Sequence, residues 1–436
     1  MDTKALRQKI LDLAIHGKLV PQDPNDEPAS VLLERIRAEK ERLIKEGKIK
    51  KGKKSAKTSD KPHYPFELPK GWVWTTLGDL FTLQAGKNIA AKEIYPEFSE
   101  IYKYPCFGGN GIRGFVSNFN RNGDFPIIGR QGALCGNVNL AIGDFYATEH
   151  AVVVERFSDT DLMWTYYVLI ALNLNQYATA TAQPGLAVNV INDVIVPVPP
   201  FQEQCRISKA VTRLFSLINE IEHGKQKLQG TIKQTKSKVL DLAIHGKLVP
   251  QDLNDEPASE LLKRINPKAE IITDNGHYQK LPSGWAIAPM QTLCSLTDGE
   301  KQSGIDRINL DVKYLRGERG ARILNMGKYI TANSLLMLVD GENSGEVFRT
   351  PKEGYQGSTF KLLNINKELY PEFVLQVINL HRKALRENKV GSAIPHLNKK
   401  LFKAIEVPIP PYEEQTRIVN AINKTFTILD AITKNL

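Results

Sequence analysis

The sequence predicts an α+β protein in which two α/β domains are separated by a pair of long antiparallel coiled-coil helices, with pseudo-twofold, circular internal symmetry. Three observations lead to this fold class. Several stretches of the chain recur in a second copy, two long segments between them do not recur, and apolar residues at alternating spacings of four and three continue from residue 207 to residue 242.

The repeated stretches frame the two dissimilar segments. "LDLAIHGKLVPQD" stands at residues 11–23 and, unchanged, at 240–252, and "NDEPAS" at 25–30 returns at 254–259. "LPKGW" at 68–72 matches "LPSGW" at 281–285, and "VPVPPFQEQCRI" at 196–207 matches "VPIPPYEEQTRI" at 407–418. Between these frames, residues 73–183 and 286–394 show little similarity to each other. The chain therefore consists of two similar scaffolds that carry two different inserts.

The repeat is also circular. Residues 207–225 match 418–436 at the end of the chain, and the copy of Met1 falls at Gly230. The central segment is thus the C-terminal segment joined to the N-terminal one, so we expect the last helix to meet the first. The predicted regions are a proximal helical region over 1–46, a basic linker over 47–67, a first domain over 68–200, a central helical region over 201–265, a second domain over 266–411 and a distal helix over 412–436.

One long central helix is predicted from about residue 202 to residue 245. Pro199 and Pro200 suit a helix start, and Gly246 can adopt the left-handed conformation that ends a helix. His16 and His245 each precede such a glycine, so we interpret them as capping residues rather than as catalytic ones. The predicted coiled-coil seam consists of Ile207, Val211, Leu214, Ile218, Ile221, Leu228, Ile232, Val239 and Leu242.

Composition narrows the class of protein. The formal net charge is +10, and most of the excess lies between Lys40 and Lys61, a stretch that we interpret as a flexible linker rather than as an arm that contacts phosphates. The four cysteines are scattered, which favours reduced thiols and a cytoplasmic protein. Neither a secretory signal nor an apolar run of about 18 residues is apparent, so no membrane association is expected.

The motifs of common enzymes are missing from the sequence. There is no GxxxxGK[ST], HExxH or GxSxG. "FGGNG" at 107–111 and "IPPY" at 409–412 resemble adenine methyltransferase motifs, but that catalytic loop needs a polar first residue to accept the amine of a flipped base. Ile409 and, in the other copy, Val198 occupy that place. We therefore predict no catalytic, cofactor-binding or metal-binding residues.

The two dissimilar segments combine short β-like runs with loops rich in glycine and asparagine. Such loops carry the residue types that read base edges, arginine for guanine and asparagine or glutamine for adenine, although a turn or surface role is the ordinary alternative for each. The candidate DNA-binding residues are Asn110, Arg113, Arg130, Gln131 and Asn137 in the first segment and Lys301, Gln302, Arg316, Arg319, Asn343 and Ser344 in the second.

Two unlike segments framed by "LDLAIHGKLVPQD…NDEPA" and "P.PP..EQ.RI" resemble the specificity subunit of type I restriction–modification systems, over the whole chain. The resemblance implies a non-catalytic DNA reader whose two target-recognition domains each bind one half of a bipartite double-stranded target. It further implies that the helices set the spacer and dock two modification (methyltransferase) subunits, which restriction subunits join. S-adenosylmethionine, ATP and Mg are expected on those partners and not on this chain.

Two alternatives remain open from the sequence alone. The chain could be a DNA adenine methyltransferase, or a protein-only coiled-coil scaffold that does not meet DNA. Labelling by S-adenosylmethionine would favour the first, and failure to bind duplex DNA in a salt-dependent way would favour the second.

Overall fold

A computed structural model of the chain describes residues 2–49, 66–157, 159–179, 184–267, 281–388 and 395–436. The chain divides into two compact units, Met1–Gly224 and Lys225–Leu436. The boundary falls inside one long helix. Most of the predicted basic linker, residues 50–65, lies outside the described residues.

The first unit combines helices with short strands. Its helices are α1 (Thr3–Ile15), α2 (Ala29–Lys45), α3 (Leu77–Leu80), α4 (Leu162–Ala171), α5 (Val188–Asp193) and the N-terminal part of α6 (Phe201–Ile244), and two short 3-10 turns cover Ala91–Glu93 and Leu174–Tyr177. Its strands are β1 (Val73–Thr76), β2 (Thr82–Ala85), β3 (Tyr104–Gly108), β4 (Gly111–Val116), β5 (Arg121–Asn122), β6 (Phe125–Gly129), β7 (Val138–Ala141), β8 (Asp144–Ala147), β9 (Ala151–Glu155) and β10 (Ile195–Val198).

The second unit begins with the C-terminal part of α6. Its further helices are α7 (Ala258–Ile265), α8 (Met290–Leu293), α9 (Val312–Leu315), α10 (Pro371–Glu387), α11 (Lys399–Ala404) and α12 (Tyr412–Asn435). Its strands are β11 (Ala286–Pro289), β12 (Cys294–Thr297), β13 (Glu300–Leu310), β14 (Ile323–Ile330), β15 (Leu335–Leu338), β16 (Val347–Arg349), β17 (Gly354–Gln356), β18 (Phe360–Ile365) and β19 (Glu406–Ile409).

The two units share one sheet topology although their inserts differ in sequence. The central sheet has the order β2-β9-β6-β7 in the first unit and β12-β18-β15-β16 in the second. A two-stranded antiparallel sheet closes each insert, β1 with β10 and β11 with β19. The remaining strands differ, because the first unit has a four-stranded sheet β4-β3-β8-β5 where the second has a small closed barrel of β13, β14 and β17. The predicted pair of α/β domains is confirmed, and it includes a shared topology that the sequence did not reveal.

The long central helix is confirmed within one residue at each end, Phe201–Ile244 against the predicted 202–245. In the first unit it packs against α1, where Arg7 Nη2 lies 3.0 Å from Glu222 Oε2. In the second unit it packs against α12, where Lys236 Nζ lies 2.5 Å from Asp430 Oδ1. Each unit therefore pairs its part of α6 with a helix from one end of the chain, in the antiparallel sense.

The predicted coiled-coil seam is wrong at two positions. Ile207, Val211 and Ile218 are buried in the first unit and Ile232 and Val239 in the second, as expected. Ile221 and Leu228, by contrast, are exposed, and so is the whole stretch from Gln226 to Thr231. The four-three spacing of apolar residues therefore extends through a part of α6 in which these residues are not packed against another helix.

The helix ends form as the sequence predicts. Gly17 and Gly246 have φ angles of 64° and 62°, a left-handed conformation that glycine adopts without a Cβ penalty. His16 Nδ1 lies 2.7 Å from the carbonyl oxygen of Asp12, and His245 Nδ1 lies 2.7 Å from that of Asp241. Both histidines therefore bind the last turn of a helix, which agrees with their predicted capping role.

A polar cluster around the buried Glu203 and Trp72 joins the repeated stretches of the first unit. The Glu203 side chain accepts hydrogen bonds from Trp72 Nε1 at 2.9 Å and from Gln22 Nε2 at 3.1 Å. One turn along α6, Arg206 Nη2 lies 2.5 Å from Asp26 Oδ2. We call these five residues the first frame cluster.

The second unit contains the same cluster from the second copy of each stretch. Glu414 accepts from Trp285 Nε1 at 3.0 Å and from Gln251 Nε2 at 3.2 Å, and Arg417 Nη2 lies 2.5 Å from Asp255 Oδ2. We call these five residues the second frame cluster. Burial raises the pKa of both Glu203 and Glu414 in spite of the lowering effect of their donors. The repeated stretches of the sequence therefore form the same hydrogen-bonded junction twice, once in each unit.

Candidate nucleic-acid interface

Two loops in equivalent places carry several of the predicted DNA-binding residues. The first tip loop, residues 130–137, connects β6 to β7, and the second tip loop, residues 339–346, connects β15 to β16. Gly136 N donates to Gly129 O at 2.7 Å, and Gly345 N donates to Leu338 O at 2.7 Å. Further backbone bonds correspond in the same way, including Gly132 N to Pro184 O at 3.0 Å and Gly341 N to Pro395 O at 2.7 Å. The backbone is therefore the same in both loops, although only the glycines agree in sequence.

Glycines fix the shape of both loops. The φ angles are 91° at Gly132 and 103° at Gly341, and 86° at Gly136 and 92° at Gly345, all in the left-handed half of the map. The residue before the second glycine, Cys135 or Ser344, is fully buried and anchors the loop. The residues between the anchor and the first glycine consequently form the tip.

The first unit brings its five predicted residues together. Asn137 Nδ2 lies 3.5 Å from Asn110 Oδ1, so the turn between β3 and β4 reaches the first tip loop. Gly109 in that turn sits against the Gln131 backbone, where a side chain would collide with the carbonyl oxygen, and the Arg113 side chain covers Gly108. Arg130 is half-buried, with Nη1 3.5 Å from the Glu149 carbonyl oxygen. Asn110, Arg113, Gln131 and Asn137 remain exposed.

The second unit brings fewer of its predicted residues together. Arg316 forms an ion pair with Glu346 of the second tip loop, and its guanidinium lies 5.9 Å from the centre of the Phe348 ring. Arg319 pairs instead with Asp311, next to α9. Lys301 and Gln302 lie on β13, opposite Lys328 and Gly327 of β14. Asn343 and Ser344 therefore lie in the second tip loop and Arg316 contacts it, whereas Lys301, Gln302 and Arg319 have no contact with it among the pairs described above.

Ser344 requires a correction. Its exposed fraction is 0%, so it cannot contact a base edge in this conformation. Its Oγ has no hydrogen-bond partner among the described residues, and the side chain fills the anchor position that Cys135 holds in the first unit. The sequence pattern selected it as part of a loop expected to be exposed, whereas the fold turns it inward.

The two tip loops differ in electrostatics. The first tip loop contains Arg130 and no acidic residue, and Arg113 lies on the neighbouring β4. The second tip loop contains Asp340, Glu342 and Glu346. His396 Nδ1 lies 2.7 Å from Asp340 Oδ1, and Arg382 Nη2 lies 3.1 Å from Glu346 Oε1, opposite the oxygen that pairs with Arg316. Arg316 and Arg382 therefore both pair with Glu346, and His396 contacts Asp340.

The candidate enzymatic motifs have structural explanations. Ile409 and Val198, at the place of the methyltransferase acceptor, are fully buried last residues of β19 and β10.

Burial raises the pKa of the Cys106 thiol to about 11 and that of Cys294 to about 12, so neither provides a thiolate at neutral pH. Within the described parts of the chain, no group of three or more His, Cys, Asp or Glu side chains could hold a metal ion, and no helix is long and apolar enough to cross a bilayer.

Comparison with known proteins identifies the class. Residues 69–229 and 305–436 match the family described as type I restriction modification DNA specificity domain. The chain therefore belongs to the type I restriction–modification specificity subunits, which confirms the resemblance seen in the sequence.

Individual relatives agree with this family. The EcoAI specificity subunit of Escherichia coli is 26% identical over 97% of this chain and 88% of its own length. The EcoprrI specificity subunit of Escherichia coli is 47% identical, but over only 34% of this chain and 36% of its own length. A chain solved in work on complex assembly and conformational transition of the type I system has a TM-score of 0.60 at 17% identity, covering 85% of this chain and 94% of that one, which supports the fold.

Sequence reasoning missed the residues at the tips of the two loops. Ala133 and Leu134 stand at the first tip and Glu342 and Asn343 at the second, and only Asn343 had been selected. The available signal was the pair of glycines four residues apart, "GALCG" and "GENSG", which occurs once in each insert in the same order relative to the frames. The frame clusters were also missed, although every one of their residues is repeated.

Proposed function

We propose that the chain reads a bipartite double-stranded DNA target, with one half-site bound by the tip loop region of each unit. The observation that carries this proposal is the common backbone of two tip loops that agree in sequence only at their glycines. A structural role would need one set of side chains, whereas two different half-sites need one platform and two sets of contacts. The exposed Asn110, Arg113, Gln131 and Asn137 around the first tip loop supply donors and acceptors of the required kind.

The length of α6 is proposed to set the gap between the half-sites. The stretch Gly224–Gly230 contributes no residue to either hydrophobic core, so its removal takes no residue from the cores. Removal of these seven residues preserves the apolar spacing and shortens a helix by about 10 Å, or about three base pairs of duplex. Methylated adenines mapped in cells with the complete system should then show unchanged half-sites and a shorter gap. Altered half-sites would contradict this division of labour.

Two modification subunits are proposed to dock on equivalent helix faces. Leu217 and Ile221 on α6 correspond to Ile428 and Ile432 on α12, and all four side chains are between 41% and 56% exposed. Apolar side chains exposed at matching places in both repeats indicate two similar partner surfaces. Restriction subunits would join the resulting assembly. S-adenosylmethionine, ATP and Mg would be held by these partners.

The docking faces can be tested one at a time. Leu217→Lys with Ile221→Lys should reduce the number of modification subunits per chain from two to one in native mass spectrometry, and Ile428→Lys with Ile432→Lys should do the same. The matched control is Leu253→Lys, an exposed leucine outside both faces. Retention of both partners in both variants would refute the assignment.

DNA reading itself is tested with the assembled complex. Binding to duplex containing the mapped target should weaken steeply with salt, and it should weaken further when either half-site is scrambled. A complex that binds scrambled and intact targets equally would exclude sequence reading by this chain. A complex that is fully assembled but never binds DNA would favour the protein-only scaffold.

A further inference from the structure

The tip dipeptides of the two loops occupy the same backbone positions with unlike chemistry. Cys135 N donates to Gly132 O at 3.0 Å, and Ser344 N donates to Gly341 O at 3.2 Å. These bonds close four-residue turns whose central residues are Ala133–Leu134 in the first unit and Glu342–Asn343 in the second. Leu134 and Asn343 are therefore structural equivalents, one aliphatic and one an amide.

Leu134 is an exposed aliphatic residue that no core contact explains. Its exposed fraction is 53%, it belongs to neither hydrophobic cluster of its unit, and exposed neighbours flank it in Ala133 and Gln131. Thymine presents the only methyl group on the major-groove edges of the four bases, and aliphatic side chains recognise it by contact. An apolar tip on a loop that meets DNA suits that group.

Asn343 offers the complementary polar case. Its side chain is half-buried and makes no hydrogen bond to another described residue, which leaves both the carboxamide oxygen and the carboxamide nitrogen available. An asparagine recognises adenine through N6 and N7 in a paired contact. The anchor Ser344 and the left-handed Gly341 hold this tip in one conformation, as Cys135 and Gly132 hold the other.

Building on the proposed function, we propose that Leu134 and Asn343 are specificity-determining residues: Leu134 contacts the methyl group of a thymine in one half-site, and Asn343 pairs with an adenine in the other. The rest of each loop region positions the tip. Arg316 and Arg319 pair with the carboxylates of Glu346 and Asp311.

The test uses the complex of the full chain with its modification subunits and the duplex target obtained by methylation mapping. Uracil replaces each thymine of the half-sites in turn, which removes only the methyl group, and 7-deazaadenine replaces each adenine, which removes only N7. One uracil should weaken binding by the wild type about fourfold, the value of one buried methyl group. The same uracil should leave the affinity of Leu134→Ala unchanged.

The second part of the experiment tests Asn343 in the same way. One 7-deazaadenine, in the half-site that does not contain the sensitive thymine, should weaken wild-type binding about tenfold and leave Asn343→Ala unaffected. Each variant should keep its full sensitivity to the analogue in the other half-site. Ile142→Ala, an exposed aliphatic residue beyond the far end of β7, and Asn364→Ala, an exposed asparagine toward the far end of β18, are the matched controls and should bind as the wild type does.

The outcomes separate this inference from the proposed function. Analogues that weaken the variants as much as the wild type, or sensitivity to both analogues within one half-site, would overturn the assignment of the tips while sequence-specific binding persists. Absence of any sequence-specific binding by the wild-type complex would overturn the proposed function itself.

Discussion

The repeated frames and the inserts between them represent two opposite ways of building the same structure twice. The frame clusters use identical residue types, since Glu203 and Glu414 each accept from a tryptophan and a glutamine at nearly the same distances. The tip loops share their backbone hydrogen bonds and almost none of their side chains. A buried polar junction allows few substitutions because every donor needs its acceptor, whereas a loop held by glycines and backbone bonds accepts any exposed side chain.

The largest expected effect tests whether the two frame clusters are energetically equivalent. Glu203→Ala and Glu414→Ala each leave a buried tryptophan N–H without its acceptor and should each reduce the free energy of unfolding of their own unit by about 3 kcal/mol. Urea denaturation of the full chain, followed by fluorescence and by limited proteolysis of each unit, measures both values. Costs that differ by more than about 1 kcal/mol would show that the copies have diverged.

Alanine at the second glycine of each tip loop should destabilise the two units by different amounts. A methyl group at Gly136 would overlap the Asn175 backbone nitrogen, while one at Gly345 would meet only the Leu385 side chain at 3.6 Å. Gly136→Ala should therefore lower the free energy of unfolding by about 3 kcal/mol. Gly345→Ala should lower it by only about 1–2 kcal/mol, the cost of a left-handed backbone conformation for alanine.

Gly132→Ala and Gly341→Ala provide the internal control for this comparison. Both positions have left-handed φ angles and open space around the added methyl group, so equal costs of about 1–2 kcal/mol are expected in thermal or urea unfolding. Equal losses of stability for Gly136→Ala and Gly345→Ala would mean that the surroundings of the two glycines are more alike than the distances to Asn175 and Leu385 indicate.

The smallest effect concerns pH. Burial raises the pKa of Glu203 and Glu414, so the folded protein holds these protons more tightly than the unfolded chain. Their stabilising contribution is fully present below the unfolded pKa and is lost as the pH rises through the folded pKa. Relative to the wild type, the double variant Glu203→Gln/Glu414→Gln should therefore become more stable as the pH rises from about 4.5 to neutrality. Urea unfolding across this range measures the difference, and a constant difference would contradict a raised pKa.

Sequence alone predicted the elements that depend on periodicity and on repeated letters. The bounds of α6 and the caps at His16 and His245 follow from local rules, because a proline pair and a glycine act on the backbone wherever they occur. The failure at Ile221 and Leu228 has a non-local cause, since a spacing of four and three shows which side chains share a helix face but not where a partner helix covers it. The prediction that Ser344 is exposed was wrong for a similar reason, because the fold around the loop decides which of its side chains are buried.

The shared topology of the inserts could not be read from the residues. Sheet order is set by pairings between distant strands, and β6 and β15 have no sequence identity that would relate them. Exposed recognition side chains are equally unpredictable, because nothing in the fold constrains what a solvent-facing tip must be. The spacing of two glycines was the one local trace of the common loop.

The pairing of β1 with β10, with Val73 opposite Val198, brings the two ends of the first insert side by side, and Ala286 opposite Ile409 does so in the second. An insert that enters and leaves its frame at a single place behaves as a cassette. A foreign cassette needs only to present two compatible end strands, so genetic exchange at the repeated stretches could supply new target preferences without any redesign of the helices that carry them.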